Sequence, residues 1–158
     1  MKQLIYKIVF AALIGISLAA CSEPDYFTAT ITPTINSLSL ENGDELIVSK
    51  VEVSNATIKH GDDGTPEAVT NYTIDHMEFF LGNVKIGETK TKPYAFTYKI
   101  DNLPTGKHEF RVDALITHLP KRVWRDKDDA NYPIGNPKGK RRARISGTFD
   151  LQITDPTN

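Results

Sequence analysis

Met77-Glu78-Phe79-Phe80-Leu81-Gly82-Asn83-Val84-Lys85-Ile86 is the stretch that decides the fold. Two apolar-alternating runs meet at Gly82-Asn83. Gly at the first central position of a two-residue loop suits a primed turn, whose twist matches the strands it joins. Pairing across the turn sets Leu81 against Val84 and Phe79 against Ile86. Met77, Phe79, Leu81, Val84 and Ile86 then share a face, and Lys85 and Glu88 point the other way, as a half-buried sheet requires. After Pro93 the residues Tyr94, Phe96, Tyr98 and Ile100 alternate. A turn at Pro104-Thr105-Gly106 leads into His108, Phe110, Val112 and Ala114, with Glu109, Arg111 and Asp113 between them. This succession of strands, with no helical period, predicts an antiparallel β domain.

The same stretch carries a resemblance. A hairpin with a Gly-containing turn is followed by Ile86-Gly87, then Lys92-Pro93-Tyr94, then Leu103-x-x-Gly106-x-His108-x-Phe110. This order resembles the bacterial Ig-like domains of secreted and cell-surface proteins, often found beside glycan-degrading enzymes. In that family, Pro-Tyr opens the strand after the hairpin and Leu-x-x-Gly-x-His opens the next. The resemblance implies an Ig-like sandwich and says little about function, because such sandwiches host unrelated activities.

The N-terminus reads as a targeting segment rather than as fold. Lys2 and Lys7 precede an apolar run from Ile8 to Ile16 that is too short to span a bilayer comfortably. Leu18-Ala19-Ala20-Cys21 resembles the lipobox of bacterial lipoproteins, in which the Cys becomes the acylated first residue. Cys21 is the only cysteine, so no intrachain disulfide is possible. The competing explanation is a plain signal peptide, or a short uncleaved anchor, with an incidental thiol. Acyl chains would hold the domain at a membrane, each buried methylene contributing about 0.8 kcal/mol. Removing residues 1–20 takes two lysines and changes the formal net charge from −1 to −3. Neither value implies bulk attraction to nucleic acid or anionic lipid. Ser22-Glu23-Pro24-Asp25 resembles, weakly, the export signal of surface lipoproteins in Bacteroidetes-type bacteria, and reads equally as a solvated tether.

Residues 21–32 are expected to be acylated Cys and tether, residues 33–155 the sandwich, and residues 156–158 a tail. Pro33 marks an edge strand, since it cannot donate to a ladder. From Glu45 to Ile58 a long strand changes phase between Leu46/Val48 and Val51/Val53, which a bulge near Ser49-Lys50 reconciles. Lys59 to Asn71 is a polar loop, Tyr72 and Ile74 lead into the hairpin, and Ile145, Gly147, Phe149, Leu151 and Ile153 form a last strand. The expectation is an all-β, Ig-like antiparallel β-sandwich of about seven strands, preceded by a lipoprotein signal peptide. Val51, Val53, Met77, Phe79, Leu81, Val84, Ile86, Phe96, Leu103, Phe110, Val112, Phe149 and Leu151 are its expected inward residues.

Residues 118–144 hold nine basic and three acidic residues together with the only Trp. Lys121, Arg122, Trp124, Arg125, Tyr132, Lys138, Lys140, Arg141 and Arg142 are the candidate ligand-binding set. Cations beside exposed aromatic rings suit an anionic glycan or an acidic protein face. The alternative is a solvated insertion whose Val123 and Trp124 fold back on the sandwich. Lys138-Gly139-Lys140-Arg141-Arg142 is not read as specific nucleic-acid recognition, because an exported lipoprotein seldom meets such a target. Asp62-Asp63-Gly64 and Asp126-x-Asp128-Asp129 lack the spacing of a calcium loop. His60, His76, His108 and His118 lack metal-ligand spacing, and His108 is expected to hydrogen-bond the turn before it. Nucleophile, phosphate-loop and zinc motifs are missing. No cofactor, metal or catalytic residue is assigned. The expected partners are the membrane, through Cys21, and an anionic glycan or envelope protein. Cells supplied with labelled palmitate are expected to attach it to this chain; failure to do so would end the tethering proposal.

Overall fold

The computed structural model describes residues 6–7, 10–11, 25–60, 64–118 and 140–155; of residues 6, 7, 10, 11, 25 and 60 only the backbone is described. The strands are β1 (Tyr6–Lys7), β2 (Phe10–Ala11), β3 (Asp25–Ile35), β4 (Ser39–Glu41), β5 (Glu45–His60) and β6 (Glu67–Ala68). They continue as β7 (Tyr72–Leu81), β8 (Val84–Thr89), β9 (Phe96–Lys99), β10 (Gly106–His118) and β11 (Arg141–Thr154). One sheet runs β1-β3-β5-β6, with β2 on β3 and β9 on β5; the other runs β4-β11-β10-β7-β8. Every pairing is antiparallel except β4 with β11. This is an all-β, Ig-like sandwich. Among the described residues no helix is long and apolar enough to cross a membrane.

The two inner faces supply the core. Phe27, Ile31, Leu46 and Val48 from the first sheet meet Met77, Phe79, Phe110, Val112, Ile116, Ile145, Leu151 and Ile153 from the second. Alternation on each strand delivers them: along β11 every second residue from Ile145 to Ile153 is buried. The bulge on β5 falls where the phase change demands it. Thr34 pairs with Lys50 and Ile35 with Val48, so Ser49 is the extra residue. His108 Nε2 lies 2.7 Å from the Pro104 carbonyl, the turn contact its position implies.

Three expectations need correction. The domain begins at Asp25 rather than at residue 33, because Phe27, Ala29 and Ile31 on β3 are core residues and not tether. The polar run of threonines between them misleads: Thr28, Thr30, Thr32 and Thr34 occupy the outward positions of a strand whose other face is buried. In the central hairpin, Leu81 pairs with Val84 as expected, but the register then shifts and Phe79 pairs with Gly87 instead of Ile86. Val84, expected inside, is 66% exposed, at the start of the edge strand β8. Gly82 has φ 57°, the positive value the first central residue of this turn needs.

Gly87 explains the shift. A Cβ there would run into the Phe96 ring. With only hydrogen at that point, Phe96 reaches across from β9 and stacks on Phe79 at a centroid separation of 4.3 Å. Gly87→Ala is therefore expected to push Phe96 off its partner and lower unfolding free energy by about 1–3 kcal/mol, as overpacking does. Urea denaturation measures it; an unchanged midpoint would show that the ring has room to move.

Candidate functional site

The outer face of the five-stranded sheet carries a row of carboxylates in direct register. Asp113 on β10 pairs with Glu78 on β7, and Glu78 pairs with Glu88 on β8. Like charges set opposite one another in a sheet are destabilising. Two cations resolve the conflict. Arg144, from β11, places one Nη atom 3.0 Å from Glu78 and 2.9 Å from Asp113. Lys85 puts its Nζ 2.8 Å from Glu78 and 2.5 Å from Glu88. Arg111 completes the row, its Nε 3.1 Å from Asp113 Oδ1 but outside hydrogen-bond alignment, while its guanidinium covers the Phe80 ring at 4.2 Å. These long side chains bury their partners: Asp113 is only 2% exposed although it points away from the core.

The Lys85 hydrogen bond holds the Glu78 carboxyl below the ordinary range, against burial that would raise it, with Arg144, Lys85 and His76 helping by charge. The hydrogen bond from Lys85 also lowers Glu88, and Lys85 itself is raised by its hydrogen bonds to Glu78 first and to Glu88 second. His76, Glu78 and Glu88 bring potential metal-ligand atoms within 4.8 Å of one another. Lys85 already bridges both carboxylates and Arg144 adds a second cation at Glu78, so the chemistry of this group is an internal ion network.

Along β11 the network leads to the basic end of the sandwich. Arg142 and Arg144 share the outward phase; Arg142 pairs across the ladder with Thr117, whose hydroxyl donates to Asp75 at 2.8 Å. Arg141 has the inward phase and stands opposite His118. His118 is buried at the rim, its ring stacked on Phe27 at 4.8 Å. Lys140 is exposed. Of the candidate ligand-binding set, Lys140, Arg141 and Arg142 thus open β11 together. Lys121, Arg122, Trp124, Arg125, Tyr132 and Lys138, and the lipid-attachment candidate Cys21, lie outside the described residues.

Sequence reasoning did not find the acid row. Its signal is present, as acids at 78, 88 and 113 and cations at 85, 111 and 144. It becomes meaningful only once the strand order and registers are known.

The fold and these surfaces define an Ig-like domain with one charged outer face. Residues 65–112 match the family model described as Bacterial Ig domain, a span that takes in β6 to β9 and the first half of β10. That stretch of the chain is therefore similar to bacterial Ig domains, and the two-sheet all-β fold agrees with the match. No curated protein and no solved structure matches.

The charge network sets a pH dependence. A carboxyl whose pKa is lower folded than unfolded stabilises the fold above its unfolded value, near 4.3 for Glu, and loses that contribution as pH falls through the folded value. Unfolding free energy is expected to fall on acidification below about pH 4.5. Glu78→Gln should make that acid limb shallower. A limb of unchanged slope in the variant would remove Glu78 from the explanation.

Proposed function

We propose that this chain is a non-enzymatic lipoprotein of the bacterial cell envelope, tethered through Cys21, whose Ig-like domain captures a ligand at the basic end of its five-stranded sheet. Bacterial Ig-like domains are surface-associated binding or structural modules, which supports an envelope setting. The observation that carries the proposal is the clustering of Lys140, Arg141 and Arg142 at the start of β11, where the basic run of residues 118–144 enters the sheet. Arg144, two residues further on, is engaged by Glu78 and Asp113. Lys140 and Arg142 are exposed at that rim and would present their charge to an anionic partner, such as a sulfated or carboxylated glycan or an acidic protein face.

A second function, as an assembly subunit of a surface complex, draws on the edge strand β8. It ends the five-stranded sheet, and its first residue, Val84, is a large exposed apolar side chain.

Immobilised heparin serves as a sulfated-glycan probe. The chain is expected to be retained and released by salt, and the triple variant Lys140→Ala, Arg141→Ala, Arg142→Ala to elute at clearly lower salt. Equal elution of the two proteins would remove the capture proposal and leave assembly.

A further inference from the structure

An open groove of about 1090 Å³ runs between β5 of one sheet and the start of β7 in the other. It exists because two strands are each half-covered there. β5 pairs with β9 through residues 45–48 and with β6 through residues 57–58, and neither strand reaches the stretch between. β7 pairs with β8 only from Met77 onward, which leaves Tyr72 to Ile74 open on that side. Val69-Thr70 closes one end and Lys92-Pro93-Tyr94 the other. Asn55 and Tyr94, two non-glycine residues with positive φ (50° and 64°), both line the groove.

The backbone of β5 defines what fits. The Val51 N–H donates to the Pro93 carbonyl at 3.0 Å, so Val51 turns its main chain away from β3 and into the groove. Alternation along an antiparallel ladder turns Glu52 toward β3 and Val53 again into the groove. The Val53 carbonyl accepts the Tyr72 hydroxyl at 3.2 Å. Among the described residues nothing bonds the other two groove-facing groups, the Val51 carbonyl and the Val53 N–H, on either side of Glu52. An acceptor and a donor spaced in this way are what one residue of a parallel strand bonds, through its own N–H and C=O. Tyr72 and Pro93 stop the pairing from extending further.

The surroundings favour peptide over sugar. A sugar face would need an open aromatic platform, but Tyr94 is 5% exposed and the Tyr72 ring packs edge-on against Phe27. An extended peptide would lay its clamped residue beside Glu52, toward solvent and the Lys50–Glu52 ion pair. The residues on either side would turn inward beside Val51 and Val53, toward the partly buried Val69 and Ile74.

We infer that this groove binds an extended segment of a partner polypeptide, an apolar-polar-apolar tripeptide held by β-strand addition to the free edge of β5 between Val51 and Val53. The site is separate from the basic rim and does not depend on it.

The test uses the ¹⁵N-labelled full chain and the capped probe acetyl-Val-Thr-Val-methylamide, followed by NMR. The expected result is a set of amide shifts centred on Val51, Glu52, Val53 and Val69, with the Val53 N–H becoming slow to exchange. Methylating the Thr nitrogen of the probe removes its single donor to Val51 and should weaken binding about tenfold. Val53→Pro removes an N–H that the β3 ladder does not use, and should have a similar effect in a chain with an unchanged far-ultraviolet spectrum. If that variant does not fold, the methylated probe carries the comparison alone. Equal binding of methylated and unmethylated probes would overturn the inference. So would shifts at these amides from an N-acetylglucosamine trimer but none from the tripeptide.

Discussion

The structure depends on apolar contact between two sheets that no covalent bond joins. With a single cysteine in the chain, a disulfide staple is impossible, and packing has to do the work. The contact has a visible spine. Phe96 from one sheet stacks on Phe79 in the other, and from Phe79 the rings of Phe110 and Phe149 continue across the second sheet at 6.4 and 6.3 Å. Aromatic pairs at such distances add about 0.5–1.5 kcal/mol each beyond the area they bury. The glycine at position 87, the register shift beside it and the short β9 strand are what place Phe96 on this spine.

Once the inner faces are committed to packing, the outer faces are free to carry charge. The five-stranded sheet uses that freedom in an unusual way, aligning three carboxylates across neighbouring strands and threading cations between them. A partly desolvated network of this kind contributes little net stability against an apolar alternative, but it is costly to break at one member. It also fixes the registers of β7, β8, β10 and β11, because a slip on any strand would set acid against acid without its bridging cation. The charge-neutral centre and the basic rim are therefore different surfaces, although both use arginines of β11.

Much of the fold was legible in the sequence. The tight turn at Gly82-Asn83 with Leu81 opposite Val84, the bulge at Ser49 and the turn contact of His108 follow from local rules, and the structure shows all three. The start of the domain was not legible. Tyr26 to Ile35 has a Thr-rich composition and a proline, and its apolar residues become core only because β5 covers that strand on one side and β11 lies beneath it. The exposure of Val84 and the Phe79–Gly87 pairing were hidden for a related reason: one follows from the edge position of β8 and the other from Phe96 arriving from the opposite sheet, and no local pattern encodes either. The acid row and the β5 groove are tertiary in the same sense. The groove arises from strands that stop short, and a sequence does not announce the pairing it leaves unmade.

The proposed role, in which a lipid-tethered Ig-like module captures a ligand near a membrane, presumes the two-sheet packing throughout. The most direct measurement is a set of proton–proton Overhauser contacts between the Phe96 and Phe79 rings in the full chain. The account predicts strong ring-to-ring contacts, alongside cross-strand contacts from Phe110 to Phe149. Rings of Phe96 and Phe79 that show no mutual contact, while each retains contacts within its own sheet, would contradict it.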